Sequence, residues 1–173
     1  VLYGTSNYEL AANEYQAALS INDKIPNLHL MLGYIHSAMG DYDLAVESFN
    51  QANALNPPDP VPDYEASRVY FAIGEYARAV QYAEQALRDD PSDPNLNGNL
   101  GVMYSKNNER NEAIKYLKLA IQGGVTDDGD IVEGIPLSYE LRTIEFYSSY
   151  GLALAREDLC SEAIPIFQAM LTM

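Results

Sequence analysis

The sequence predicts an all-α solenoid of short antiparallel helix pairs, and three observations carry that reading. Sliding the 173-residue chain by 34 positions superposes Ala11, Ala45, Ala79 and Ala113, and with them Ala18, Ala52, Ala86 and Ala120. Self-similarity at a fixed period marks stacked units that each bury one face against a neighbour. Within each period the apolar residues recur at helical spacing, as in Leu28, Met31, Leu32 and Ile35. No run alternates apolar and polar residues between hairpin turns, so no strand is expected.

The elements follow in order. A helix at about 6–20 opens with Ser6-x-x-Glu9, a capping-box pattern. Helices at 27–39 and 42–55 are separated by Gly40-Asp41, with Asp41 as the second one's N-cap. Asp59-Pro60 and Asp93-Pro94 place a cap and a first-turn proline before helices at 61–73 and 95–107. Their partners are expected at 76–89 and 109–122, the latter capped by Asn108. Gly123-Gly124 ends that helix. Pro136 then suits the first turn of a helix at 137–156, about two turns longer at its front than its counterparts. A last helix is expected at 159–171. Small residues at Gly33, Ser67 and Gly101 recur twelve positions before Ala45, Ala79 and Ala113, where paired helices must approach closely. A larger side chain at Ala45 or Ala79 is expected to cost about 1–3 kcal/mol as overpacking.

With these residues in place the chain resembles the tetratricopeptide repeat family, through Leu32-Gly33-x2-His36, Ala45, Phe49, Ala52 and Pro57. The family's tryptophan is missing, His36 stands where its tyrosine falls, and Ala83 replaces the bulky Phe49. The resemblance implies a right-handed superhelix forming a single array over residues 1–173. In it, 1–25 is a partial repeat; 26–59, 60–93 and 94–127 are full repeats; 128–143 is an insertion and helix extension; and 144–173 is a terminal repeat. The unpaired first helix and the apolar last one suggest a piece of a longer array, with Leu10, Ile166 and Leu171 exposed for end-to-end association with further repeats or other copies.

Charge and motif content exclude several functions. A net charge of −15 opposes nucleic acid, whose phosphates need local positive charge. No stretch is long and apolar enough to insert in a membrane, and no basic-then-apolar leader opens the chain. Cys160 is a single cysteine with both histidines, His29 and His36, more than a hundred residues away, so no catalytic pair is expected. His36 is read as a core histidine rather than a metal ligand. Asp127, Asp128, Asp130 and Glu133 lack the spacing of a calcium loop and read as a solvated segment. No phosphate-binding, dinucleotide-binding or hydrolase motif is present, so neither an enzyme nor a cofactor is expected.

What remains is surface. The resemblance implies a concave face lined by first helices, here Asn27, Leu30, Tyr34, Ser37 and Ala38, then Val61, Tyr64, Arg68, Phe71 and Ala72. The later repeats add Asn95, Gly98, Asn99, Val102, Ser105 and Lys106, then Ser148, Leu152 and Arg156. Tyr34, Tyr64 and Phe71 offer apolar area of the kind that anchors interfaces. Arg68, Lys106 and Arg156 place three of ten basic residues on this face, suited to a carboxylate on a protein or peptide partner. The chaperone-tail clamp of the family is absent, because its positions carry Leu30, Tyr34, Glu65, Asn95 and Asn99. The sequence therefore reads as a non-catalytic protein-binding scaffold. A self-assembly module and a regulatory domain of a larger enzyme are the alternatives.

Overall fold

The computed structural model describes residues 5–173, with side chains from Asn7 onward. Among these residues are nine helices: α1 (Thr5–Ile21), α2 (Pro26–Met39), α3 (Tyr42–Leu55), α4 (Pro60–Ala72), α5 (Tyr76–Asp89), α6 (Pro94–Lys106), α7 (Arg110–Gln122), α8 (Leu141–Arg156) and α9 (Cys160–Leu171). The pairs α2/α3, α4/α5, α6/α7 and α8/α9 pack most closely, and each stacks on the next through α3/α4, α5/α6 and α7/α8. The fold is the right-handed solenoid of antiparallel pairs that the sequence predicts.

One turn recurs between the helices of every pair. Gly40, Gly74, Asn108 and Asp158 occupy the same register and all have positive φ, from 59° to 85°. The next amide then reaches back across the helix end, Asp41 to His36, Glu75 to Tyr70, Glu109 to Tyr104 and Leu159 to Leu154, at 2.9–3.0 Å. This closes the exposed carbonyls of each first helix. The expected cap at Asn108 is thereby corrected: Asn108 is the left-handed turn residue, a conformation asparagine tolerates, and Glu109 precedes α7. Asp41 does stand at the N-cap of α3, yet its side chain makes no capping bond. Asp59 and Asp93 do cap, accepting from Val61 N at 3.1 Å and from Asn95 N at 2.6 Å. The Ser6 capping box rests on a side chain outside the described residues.

Close approach within pairs depends on missing side chains. A Cβ on Gly33 would lie 2.5 Å from the Phe49 ring, one on Gly101 2.6 Å from Leu117, and one on Gly151 2.8 Å from Phe167. Ala45, Ala79 and Ala113, on the second helices, are fully buried. His36 is buried as expected, its Nδ1 3.9 Å from Asp41 Oδ2.

A polar tether also repeats, at a register the periodicity does not announce. His29 Nε2 donates to the Asp23 carbonyl at 2.9 Å, and Asn53 Nδ2 donates to Asp63 at 2.9 Å. Asn97 Nδ2 donates to the Pro91 and Asp93 carbonyls, and Tyr147 Oη to the Ile135 carbonyl at 3.1 Å. The bonds of His29, Asn53 and Asn97 tie the start of a first helix to the segment before it, and the Tyr147 bond does so from the middle of α8.

The segment after α7 departs from expectation twice. It contains a two-stranded antiparallel hairpin, β1 (Gly124–Val125) and β2 (Ile131–Val132), with Gly124 opposite Val132. Two residues per strand are too few for alternation to show in a sequence. Gly123, at φ 73°, turns the chain out of α7, and a Cβ there would meet the Val132 carbonyl oxygen at 2.8 Å. The chain then returns extended along α7, Ile135 N donating to the Ala120 carbonyl at 2.8 Å. Pro136 therefore lies in this extended stretch, and α8 begins at Leu141 rather than 137. Thr143 Oγ1, bonded to Ser138 Oγ and donating to the Glu140 carbonyl, holds residues 138–140 in a turn that competes with helix.

Candidate functional site

Four first helices, α2, α4, α6 and α8, carry the residues assigned to the concave face. Between α4 and α6 they frame a hollow of about 260 Å³ lined by Tyr64, Arg68, Phe71, Ala72, Asn99, Val102, Met103 and Glu145. Helical spacing explains the first group: Tyr64, Arg68 and Phe71 lie on one stripe of α4. Phe71 is held edge-on by Tyr76 at 5.6 Å between centroids, and Arg68 stands 5.8 Å over the Tyr64 ring. Asn99 contributes an amide nitrogen that is buried and has no partner in the protein.

The charges are more balanced than the sequence implied. Arg68 Nη1 donates to Glu65 at 2.9 Å, and Glu145 borders the same hollow. Burial raises the Glu65 carboxyl above its ordinary range, while Arg68 and a hydrogen bond from Tyr34 work against that shift. Tyr34 itself is pushed up to about 12, first by burial and then by Glu65. Its ring packs edge-on against Phe49 at 5.6 Å, so Tyr34 serves the core on one side and Glu65 on the other. A second guanidinium, Arg142 on α8, donates to Asn95 Oδ1 at 3.2 Å and electrostatically faces Glu65.

The structure thus gathers Tyr64, Arg68, Phe71 and Asn99 around one hollow, with Tyr34 and Asn95 joined to it through Glu65 and Arg142. Lys106 and Arg156 are instead the exposed last residues of α6 and α8, where positive charge complements helix C-termini, and neither lines the hollow. Gly98 is buried rather than groove-facing: a Cβ there would lie 2.3 Å from Phe146. The reading of the sequence missed Glu65 as a partner of Arg68. It also missed Glu145 and Arg142, which come from a helix whose register shifts with the insertion. The i,i+3 spacing of Glu65 and Arg68 was the one available signal for the first.

Other expectations concern apolar ends and chemistry. Leu10 and Leu171 are exposed, at 63% and 85%. Ile166 instead packs against the core, and Ile164 and Phe167 join Leu171 as exposed apolar residues of α9. Cys160 is an exposed free thiol at the start of α9. Among the described residues no three histidine, cysteine or carboxylate groups gather as a metal site, and no helix is long and apolar enough to cross a membrane.

Comparison with known proteins agrees with the architecture. Tetratricopeptide repeat models match residues 26–59 and 70–127. No curated protein sequence matches the chain. Among solved structures, MamA is similar at a TM-score of 0.77 and 21% identity, over 96% of this chain and 88% of that one. Residues 41 to the end of MamA from Desulfovibrio magneticus RS-1 are similar at 0.68 and 19%, over 95% and 93%. YrrB, described as a TPR protein with an unusual peptide-binding site, is similar at 0.71 and 22%, over 91% and 73%. At these identities the likeness is one of fold. Repeat period, turn register, helix pairing and family models agree, and the chain belongs to the tetratricopeptide repeat family.

Proposed function

We propose that this chain is a protein-interaction scaffold without catalysis of its own, and that it holds a peptide segment against the first-helix face at the α4/α6 hollow. The observation that carries this is the hollow walled by Tyr64 and Phe71, with the Arg68 guanidinium exposed beside them. The ligand presents a carboxylate to Arg68 and apolar groups to the aromatic walls. Glu65 engages only Nη1 of Arg68, and the planar fork has further donors for a ligand carboxylate. The neighbour described as having a peptide-binding site makes this use of the fold reasonable.

The test is a displayed octapeptide library selected on the wild-type chain and counter-screened on Tyr64→Ala, Phe71→Ala, Asn99→Ala and Arg68→Ala. Losing a central aromatic anchor should weaken selected peptides by about thirtyfold, or roughly 2 kcal/mol. Binders that tolerate all four changes but are lost with Glu47→Ala or Lys118→Ala on the second helices would overturn the reading.

A second reading, self-association, rests on the exposed Ile164, Phe167 and Leu171 of α9. Light scattering that shows a monomer at millimolar protein argues against it.

A further inference from the structure

The α4/α6 hollow is lined by two charges of opposite sign, Arg68 on α4 and Glu145 on α8. Between these helices in the stack lies α6, which supplies the buried side chains of Val102 and Met103 to the same lining. Arg142 stands three residues before Glu145 on α8, a spacing that brings two side chains together on a helix. Elsewhere in the chain this spacing gives an ion pair. Glu65 meets Arg68 at 2.9 Å, and Glu75 meets Arg78 at 3.0 Å.

Arg142 and Glu145 do not meet. The Arg142 guanidinium donates across to Asn95 Oδ1 at 3.2 Å on α6 and faces Glu65 electrostatically. The order is also the reverse of the other two pairs, base before acid, which is the weaker arrangement on a helix. Among the described residues, the exposed Glu145 side chain accepts no hydrogen bond and joins no ion pair. Its full negative charge is left at the edge of the hollow. The body of the chain adds a second constraint. At −15 it repels a purely acidic segment, so a carboxylate bound for Arg68 approaches against the field of the whole molecule. A cation in the same segment offsets that repulsion and has an unneutralised carboxylate to meet.

We propose that Glu145 is a specificity residue of this hollow, selecting a segment that carries a lysine or arginine as well as a carboxylate. The assignment rests on the groove reading and adds the cation to it. The ligand carboxylate pairs with Arg68, and an apolar side chain lies over Phe71, Val102 and Met103. The ammonium or guanidinium reaches Glu145 from the α8 side. The ligand is thus a mixed-charge peptide rather than an acidic tail.

The experiment selects the displayed octapeptide library in parallel on the parent chain, Glu145→Gln and Glu145→Lys. Glu145 is exposed, so both variants should keep the parent's fold, which circular dichroism checks. Peptides selected on the parent should pair an acidic residue with a lysine or arginine at a fixed offset. The basic residue should fall to its library frequency on Glu145→Gln and give way to a second acid on Glu145→Lys. In a synthetic copy of a selected peptide, norleucine in place of the basic residue should weaken binding to the parent by about threefold. The same replacement should leave binding to Glu145→Gln unchanged. Peptides that need Tyr64, Phe71 and Arg68 but carry the same charges on all three chains overturn this proposal and leave the groove reading standing. Peptides indifferent to Tyr64→Ala and Phe71→Ala, or no selected peptide at all, overturn both.

Discussion

Gly33 on α2 lies beneath the ring of Phe49 on α3, so near that a methyl group in place of its hydrogen would sit 2.5 Å from Cε1. The two residues are a size-matched pair. In the register of the next repeat the pair becomes Ser67 and Ala83, both buried, where a larger first-helix residue meets a smaller second-helix one. Gly101 with Leu117 and Gly151 with Phe167 restore the first arrangement. The loss of the bulky residue at Ala83 is thus matched on the opposite helix.

Gly33→Ala should therefore destabilise by about 1–3 kcal/mol, although alanine is the better helix former by about 1 kcal/mol. Gly33→Ser combined with Phe49→Ala copies the Ser67/Ala83 pair and should be less destabilised than the two single changes summed. Urea denaturation of the four chains measures the coupling; strict additivity would refute the pairing.

Asp63 and Asn97 occupy one register, and the difference between them has a sign in pH. Burial, and then Asp89, raise the Asp63 carboxyl above its ordinary value, against the bond from Asn53 and the charge of Arg88. The folded chain then holds this proton more tightly than the unfolded one. Its contribution to stability is complete below the unfolded pKa and is lost as pH rises through the folded pKa. Asp63→Asn should therefore raise the melting temperature at pH 7, and the gain should vanish in acid. A gain over the parent chain that is the same at both pH values counts against this.

The Asp93 cap accepts from two amides, at 2.6 and 3.3 Å. Asp93→Ala should cost about 1 kcal/mol, whereas Asp41→Ala, at a position making no capping bond, should cost measurably less. Chemical denaturation of the two variants separates the outcomes.

Glu65 competes with any ligand carboxylate for Arg68. Glu65→Gln should strengthen acidic peptides at the hollow and should also lower the Tyr34 pKa from about 12 towards 10, because one of its causes is removed. The Tyr34 Cζ resonance followed through alkaline pH reports the second effect without a ligand. A Tyr34 titration unchanged in the variant would show that burial alone sets it.

The sequence by itself determined the repeat, because stacked units force the same small and apolar positions to recur every 34 residues. Gly33, Ala45 and Ala79 could be assigned to helix contacts on that ground alone. It also determined the Asp59 and Asp93 caps, since a cap and a first-turn proline are local chemistry. Asn108 misled because asparagine suits both an N-cap and a left-handed turn, and only the equivalence with Gly40 and Gly74 separates them. Tertiary structure alone decided the hairpin and the start of α8. There Ile135 binds the Ala120 carbonyl from fifteen residues away, a bond that no local pattern encodes. It likewise decided the charge at the hollow. Position on a helix face brings Arg68 to the concave side, but the approach of Tyr34, Glu65 and Arg142 from three helices sets how much of that charge a ligand meets.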